Sequence, residues 1–172
     1  MTTMLQADPT ETRPGETVTF GEFTLERTFK MTPQTVFDAW ASREPKYAWF
    51  AEGDDFLRSI DEYRLDFRVG GEERLFGVLA QSGKTFDYNS VYGDIVPGQR
   101  IVATYDVLID GRRISVSLLT VELRAIDGGA GTHLVMTEQG VFLDGLDTNE
   151  QRIVGARESL DNMEKYLLRQ SS

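Results

Sequence analysis

The chain has 172 residues, 40% of them hydrophobic, with 16 glycines and a formal net charge of −10. That length suits one domain with a sizeable core, and the acidic balance argues against nucleic acid, which needs a basic patch to neutralise its phosphates, and more weakly against anionic membranes. With no cysteine and His133 as the only histidine, disulfides, thiolate or multi-histidine metal sites and a cysteine nucleophile are excluded.

Residues 1–17 are polar, carry two prolines and read as a flexible tail. They show no basic segment followed by an apolar one, and no run in the chain is long and apolar enough to insert into a membrane, so a cytoplasmic location is the default expectation. Residues 18–172 read as a single domain. Its first segment, "FGEFTLERTFKM", puts Phe23, Leu25, Phe29 and Met31 on one parity, which predicts a strand with one apolar face; Arg27 falls on that face too. In "TPQTVFDAWAS", Thr32 is placed to cap a helix, Pro33 suits its first turn, and Val36, Phe37 and Trp40 share a face. A shorter helical piece ends at "YAWF", followed by the acidic turn "AEGDD".

From Ser59 to Leu143 the period changes to two. In "IDEYRLDFRV", Tyr63, Leu65, Phe67 and Val69 oppose Glu62, Arg64, Asp66 and Arg68. Gly70-Gly71 then predicts a two-residue hairpin turn with positive φ at both positions. The returning arm "EERLFGVLA" leaves its inward parity open between Leu75 with Leu79 and Phe76 with Val78. Further strands follow Ser82-Gly83, Pro97-Gly98, Asp110-Gly111 and the glycine-rich turn Asp127–Gly131, which predicts an antiparallel meander of about six strands. Thr148 and Gln151 have capping-box spacing, and Ile153, Ala156, Leu160, Met163 and Leu167 form the stripe of a helix over residues 149–169, roughly 30 Å long. Asp161 and Lys165 are spaced for an i,i+4 pair on its wet face, and Gly155 inside it should cost about 1 kcal/mol relative to alanine. The class is α+β: a strand, two short helices, a curved antiparallel sheet and a long C-terminal helix that covers it.

The succession "LERTFKMTPQTVFDAW", "WF", "DFRVGG", "YGDIVPGQRIV", "GTHLVMTEQG" and "GARESLDNMEKYL" resembles the START-like (SRPBCC) superfamily, in the bacterial branch related to the activator of the heat-shock-protein-90 ATPase. The resemblance covers about residues 20–169. It implies a helix-grip fold, in which the sheet grips the C-terminal helix around an internal cavity for apolar or amphipathic small molecules. Where that family often carries Trp after the glycine of the last helix, this chain has Ala156, which either enlarges the cavity or lets the helix pack closer.

Motif by motif, the sequence offers little catalytic chemistry. "GVLAQSGKT" has the wrong spacing for a phosphate loop and joins two strands rather than a strand and a helix. His133 is opposite in parity to Leu134 and Met136 and so faces outward. Glu52, Asp54 and Asp55 form an acidic turn with no pattern for liganding a cation. No catalytic residue, metal or cofactor is expected. Arg27, Glu73 and Glu138 lie on inward parities, and an inward charge must be paired. They are candidates to meet at one end of the cavity and orient a ligand, or else to form structural ion pairs or stay solvated. Trp49, Phe50, Tyr63, Phe67, Tyr88 and Tyr92 make an aromatic wall, with Trp49-Phe50 as lid or pocket wall, or else packing, and Trp40 as core; Met136, Met163, Leu160 and Ala156 complete the candidate lining. The expected partner is an apolar or amphipathic small molecule. Alternatives are a cofactor-independent cyclase, lyase or hydrolase and, last, a chaperone ATPase-stimulating role with chaperone association; a homodimer is compatible with the sequence.

Overall fold

Thr32 ends the first strand and starts the first helix, because its extended backbone frees Oγ1 to accept from Thr35 N at 3.3 Å. The computed structural model describes residues 16–172. The expected tail thus lies outside the described residues except for Glu16 and Thr17, and Thr17 exchanges two hydrogen bonds with Asp144. β1 (Val18–Phe29) leads through Thr32 into α1 (Pro33–Ala41) and α2 (Arg43–Lys46). α2 continues into a π turn, Tyr47–Ala51, and a short 3₁₀ turn, Gly53–Asp55. The meander follows as β2 (Leu57–Leu65), β3 (Glu72–Leu79), β4 (Thr85–Val96), β5 (Arg100–Ile109), β6 (Arg112–Ile126) and β7 (Gly131–Leu143). α3 (Asn149–Gln170) closes the chain, capped by Thr148 Oγ1 accepting from Gln151 N at 3.2 Å.

The sheet is seven-stranded and antiparallel, in the order β1-β7-β6-β5-β4-β3-β2. The fold is the helix-grip α+β arrangement, with two short helices after the first strand. Register shifts leave Arg58, Asp61, Gly93 and Ile114 without a partner across the ladder. Each extra residue bends its strand and increases the twist, and together they curl the sheet. Burial settles the parity of β3: Glu73 and Leu75 face inward, and Phe76 does not. One core cluster joins Val36, Phe37 and Trp40 of α1 to Leu160, Met163 and Leu167 of α3 and the inner faces of β1, β5, β6 and β7. A second gathers Leu57, Tyr63, Leu75, Tyr88, Tyr105 and Val107. No helix among the described residues is long and apolar enough to cross a membrane.

Two local expectations are corrected. β2 stops at Leu65, so Phe67 and Val69 leave the strand, and the connection to β3 is longer than a two-residue turn. Of the two glycines, Gly70 alone has positive φ, +81°. Gly71 is required by crowding, since a Cβ there would collide with the Asp66 carbonyl oxygen. Both glycines also pair with β4: Gly70 N donates to Tyr92 O, and Tyr92 N donates to Gly71 O. The local Asp161–Lys165 pair does not form. Arg27 reaches from β1 to Asp161 at 2.9 Å, and Lys165 lies 3.7 Å from Asp54.

The two glycines should therefore respond differently to substitution. Gly70→Ala meets open space and suffers only the left-handed backbone penalty, about 1 kcal/mol. Gly71→Ala must displace backbone and is expected to cost more, about 2–3 kcal/mol, in urea denaturation monitored by circular dichroism.

Candidate functional site

α2 runs directly into the π turn. Glu52 N donates to Tyr47 O at 3.0 Å, a wider ring than an α-helix uses. Lys46, Trp49 and Ala51 are buried along this segment. The Lys46 ammonium lies 3.2 Å from Glu73 Oε2 and 5.0–5.3 Å from the ring centres of Trp40, Trp49 and Phe50. Glu73, 1% exposed, also accepts from Tyr63 Oη at 2.9 Å and Tyr92 Oη at 2.8 Å. A counter-charge, two hydroxyls and three aromatic faces offset the desolvation of this pair.

A second polar group joins α3 to the sheet. Arg152, in the first turn of α3, donates through Nη1 to Glu138 Oε1 at 3.1 Å, Tyr105 Oη at 2.7 Å and Ser117 Oγ at 3.3 Å. Its Nη2 donates to Asp147 Oδ2 and Ser115 Oγ, both at 2.6 Å. Tyr105 Oη donates to Glu138 Oε1 at 2.6 Å. Burial works against the Arg152 charge, but Tyr105, Glu138 and Asp147 outweigh it and hold the guanidinium more firmly protonated than usual. Tyr63, Tyr88, Tyr92 and Tyr105 are all pushed well above the ordinary phenol range, first by burial. Glu73 then adds to the effect on Tyr63, Tyr88 and Tyr92, and Glu138 on Tyr105.

A pocket of about 350 Å³ lies between these two groups. The sheet lines it with Phe86, Tyr88, Tyr105, Val107, Leu119 and Met136, and the bulged Ile114 joins them. The π-turn segment contributes Lys46, Trp49 and Phe50, and α3 contributes Arg152, Gly155, Ala156, Glu158, Ser159 and Asn162. The first fully buried residue of α3 is Leu160; on the same stripe the earlier Ile153 and Ala156 are half-buried. A Cβ on Gly155 would meet nothing within 4 Å.

Of the residues singled out from sequence, Trp49, Phe50, Tyr88, Met136, Glu138 and Ala156 line this pocket. Trp49 is wall rather than a free flap, since it is 2% exposed and its indole N–H donates to Ala39 O at 2.8 Å. Tyr63 and Tyr92 both donate to Glu73, beside Lys46. Phe67 packs edge-on against Phe37 and Tyr92. Leu160 and Met163 are sealed in the first core cluster. Arg27, Glu73 and Glu138 do not converge: each has its own partner, Asp161, Lys46 and Arg152 respectively, on three different parts of the helical layer. His133 meets Glu26 at 2.7 Å, away from the pocket.

Lys46, Arg152 and Tyr105 were not anticipated. Arg152 had a signal, because residues 152, 156, 160, 163 and 167 form an unbroken helical row that this arginine begins. Tyr105 shares parity with Val107 and Ala103 in β5. Lys46 had one as well, since it stands three and four residues before Trp49 and Phe50, the spacing of one helical face.

Residues 30–168 match the family described as Activator of Hsp90 ATPase homolog 1-like protein. A protein of solved structure from Rhizobium leguminosarum is 39% identical, over 90% of this chain and 98% of that one, with a TM-score of 0.82. The Mll3558 protein from Rhizobium loti is 37% identical, over 87% of this chain and 99% of that one, with a TM-score of 0.78. Protein CV1439 from Chromobacterium violaceum, 22% identical over 85% and 96% of the two chains with a TM-score of 0.69, shares the fold. No curated protein matches. The chain belongs to the Activator of Hsp90 ATPase homolog 1-like family, and the resemblance read from its sequence motifs holds.

Removing one half of the Lys46–Glu73 pair leaves the other charge buried. Glu73→Ala is expected to cost about 3–5 kcal/mol in urea denaturation, and the double change Lys46→Met, Glu73→Gln markedly less. Alkaline titration should report the tyrosines. The unfolded chain releases their protons near the ordinary value of about 10, whereas the folded chain retains them. Their contribution to stability is therefore complete below about pH 10 and falls as pH rises beyond it, measurable as a declining melting temperature together with late phenolate absorbance.

Proposed function

We propose that this member of the Activator of Hsp90 ATPase homolog 1-like family binds an apolar or amphipathic small molecule between its sheet and the first half of α3. The observation that carries this reading is the pocket of about 350 Å³, bounded by aromatic and aliphatic side chains, with the small residues Gly155 and Ala156 on its α3 side. Small-molecule sites span roughly 300–1,000 Å³ and combine apolar walls with a few placed polar groups. Here the walls would supply the affinity, at roughly 25 cal/mol per Å² of ligand surface removed from water. The hydroxyl of Tyr88 and the Arg152–Glu138–Tyr105 group would set orientation. Nothing about this binding needs a cofactor.

Trp40 and Trp49 both border the pocket, so ligand entry should change tryptophan fluorescence. A screen of lipids, flavonoids and polyketides should give saturable changes that Ala156→Trp, which fills the space, abolishes without loss of helical circular dichroism. No saturable change for any compound, or unaltered binding by Ala156→Trp, would overturn the reading. Gly155→Ala provides a control for the helix itself: with open space for the methyl, it should stabilise the protein by about 1 kcal/mol.

A further inference from the structure

We infer that the pocket rejects acidic ligands, and that its occupant carries an uncharged or cationic headgroup. This rests on the ligand-binding reading above and adds the headgroup class to it. Two cations border the pocket, Lys46 and Arg152, against four carboxylates, Asp54, Glu138, Asp147 and Glu158. Neither cation is available to an incoming acid. Both Nη atoms of Arg152 are already occupied, by two carboxylates and three hydroxyls. Lys46 is held by Glu73 and faces three aromatic rings.

The carboxylates, by contrast, exceed their partners. Glu138 and Asp147 share the single guanidinium of Arg152. Asp54 has only the distant, exposed Lys165, and Glu158 enters no ion pair among the described residues. An acid entering here would displace a carboxylate from Arg152 or remain unpaired in a field of its own sign, further opposed by a chain of net charge −10. An alcohol or amide suffers no such repulsion. An ammonium gains from the surplus carboxylates and from the rings of Phe50 and Tyr88.

The test uses three probes sharing one chain: lauryl alcohol, laurylamine and laurate, titrated at neutral pH and low salt below their micelle thresholds. Calorimetry and tryptophan fluorescence provide the readouts. Lauryl alcohol and laurylamine should bind, with laurate weaker by about tenfold or more, equivalent to about 1.4 kcal/mol. Glu158→Gln, an exposed change that leaves the buried groups untouched, and Asp147→Asn, which releases part of Arg152, should each narrow the gap between alcohol and acid several-fold. Laurate binding as tightly as the alcohol overturns the inference and leaves the pocket reading standing. So does an equal loss for laurylamine and laurate, which would make charge of either sign the obstacle. Neither variant narrowing the gap overturns it too. If none of the three binds, while the same instruments detect another ligand from the wider screen, the headgroup inference fails alone; if nothing binds at all, both readings fail.

Discussion

A carboxylate on the inner face of a sheet must find its counter-charge inside the protein, and this requirement organises the molecule. Glu73 on β3 and Glu138 on β7 both point inward and are almost wholly withdrawn from water. Each draws a cation from a different part of the helical layer, Lys46 from the α2–π segment and Arg152 from the start of α3. An isolated ion at either place would cost several kcal/mol, so the two helical segments are fixed to the sheet at those points. The hydroxyls of Tyr63, Tyr92, Tyr105, Ser115 and Ser117 complete the coordination. The pocket lies between the two fixed points, where α3 presents the small residues Gly155, Ala156 and Ser159.

How much of this was legible in the sequence depends on the range of the force involved. Alternation along β4 to β7, the capping residues Thr32 and Thr148 and the apolar row of α3 are decided by neighbours a few residues away, and the expected elements match those found. Arg27 was visible as a charge needing company, but its pairing with Asp161 spans 134 residues and overrode the local Asp161–Lys165 spacing. Gly70-Gly71 looked like a short turn because φ was the only reason considered for glycine. Crowding against Asp66 and pairing with Tyr92 are tertiary reasons, and neither leaves a mark in the local pattern. Lys46 is the deepest miss. By residue type a lysine between tryptophans reads as solvent-facing, and the remote Glu73 together with the three rings makes its inward position tenable.

The same distinction applies to the pocket. Alternation fixes a strand's faces once the core side is known, so inward parity identified Glu138 on the side of Met136, and aromatic character singled out Tyr88. Neither could separate them from Tyr63 and Tyr92, which have the same parity but spend their hydroxyls on Glu73. Ile114 reaches the lining through a break in the β5–β6 ladder, and a break in alternation is invisible to a rule built on alternation.

The order of strands across the sheet also bears on how the chain reaches its shape. β1 pairs only with β7, so Val18 finds its partner Leu143 after the entire meander has intervened. During synthesis β1 has no ladder to join until β7 has emerged, and the apolar inner surface has no roof until α3 follows. Such remote closure slows folding and prolongs the interval in which greasy surface is bare. The nascent protein is therefore most vulnerable to self-association just before its last helix leaves the ribosome.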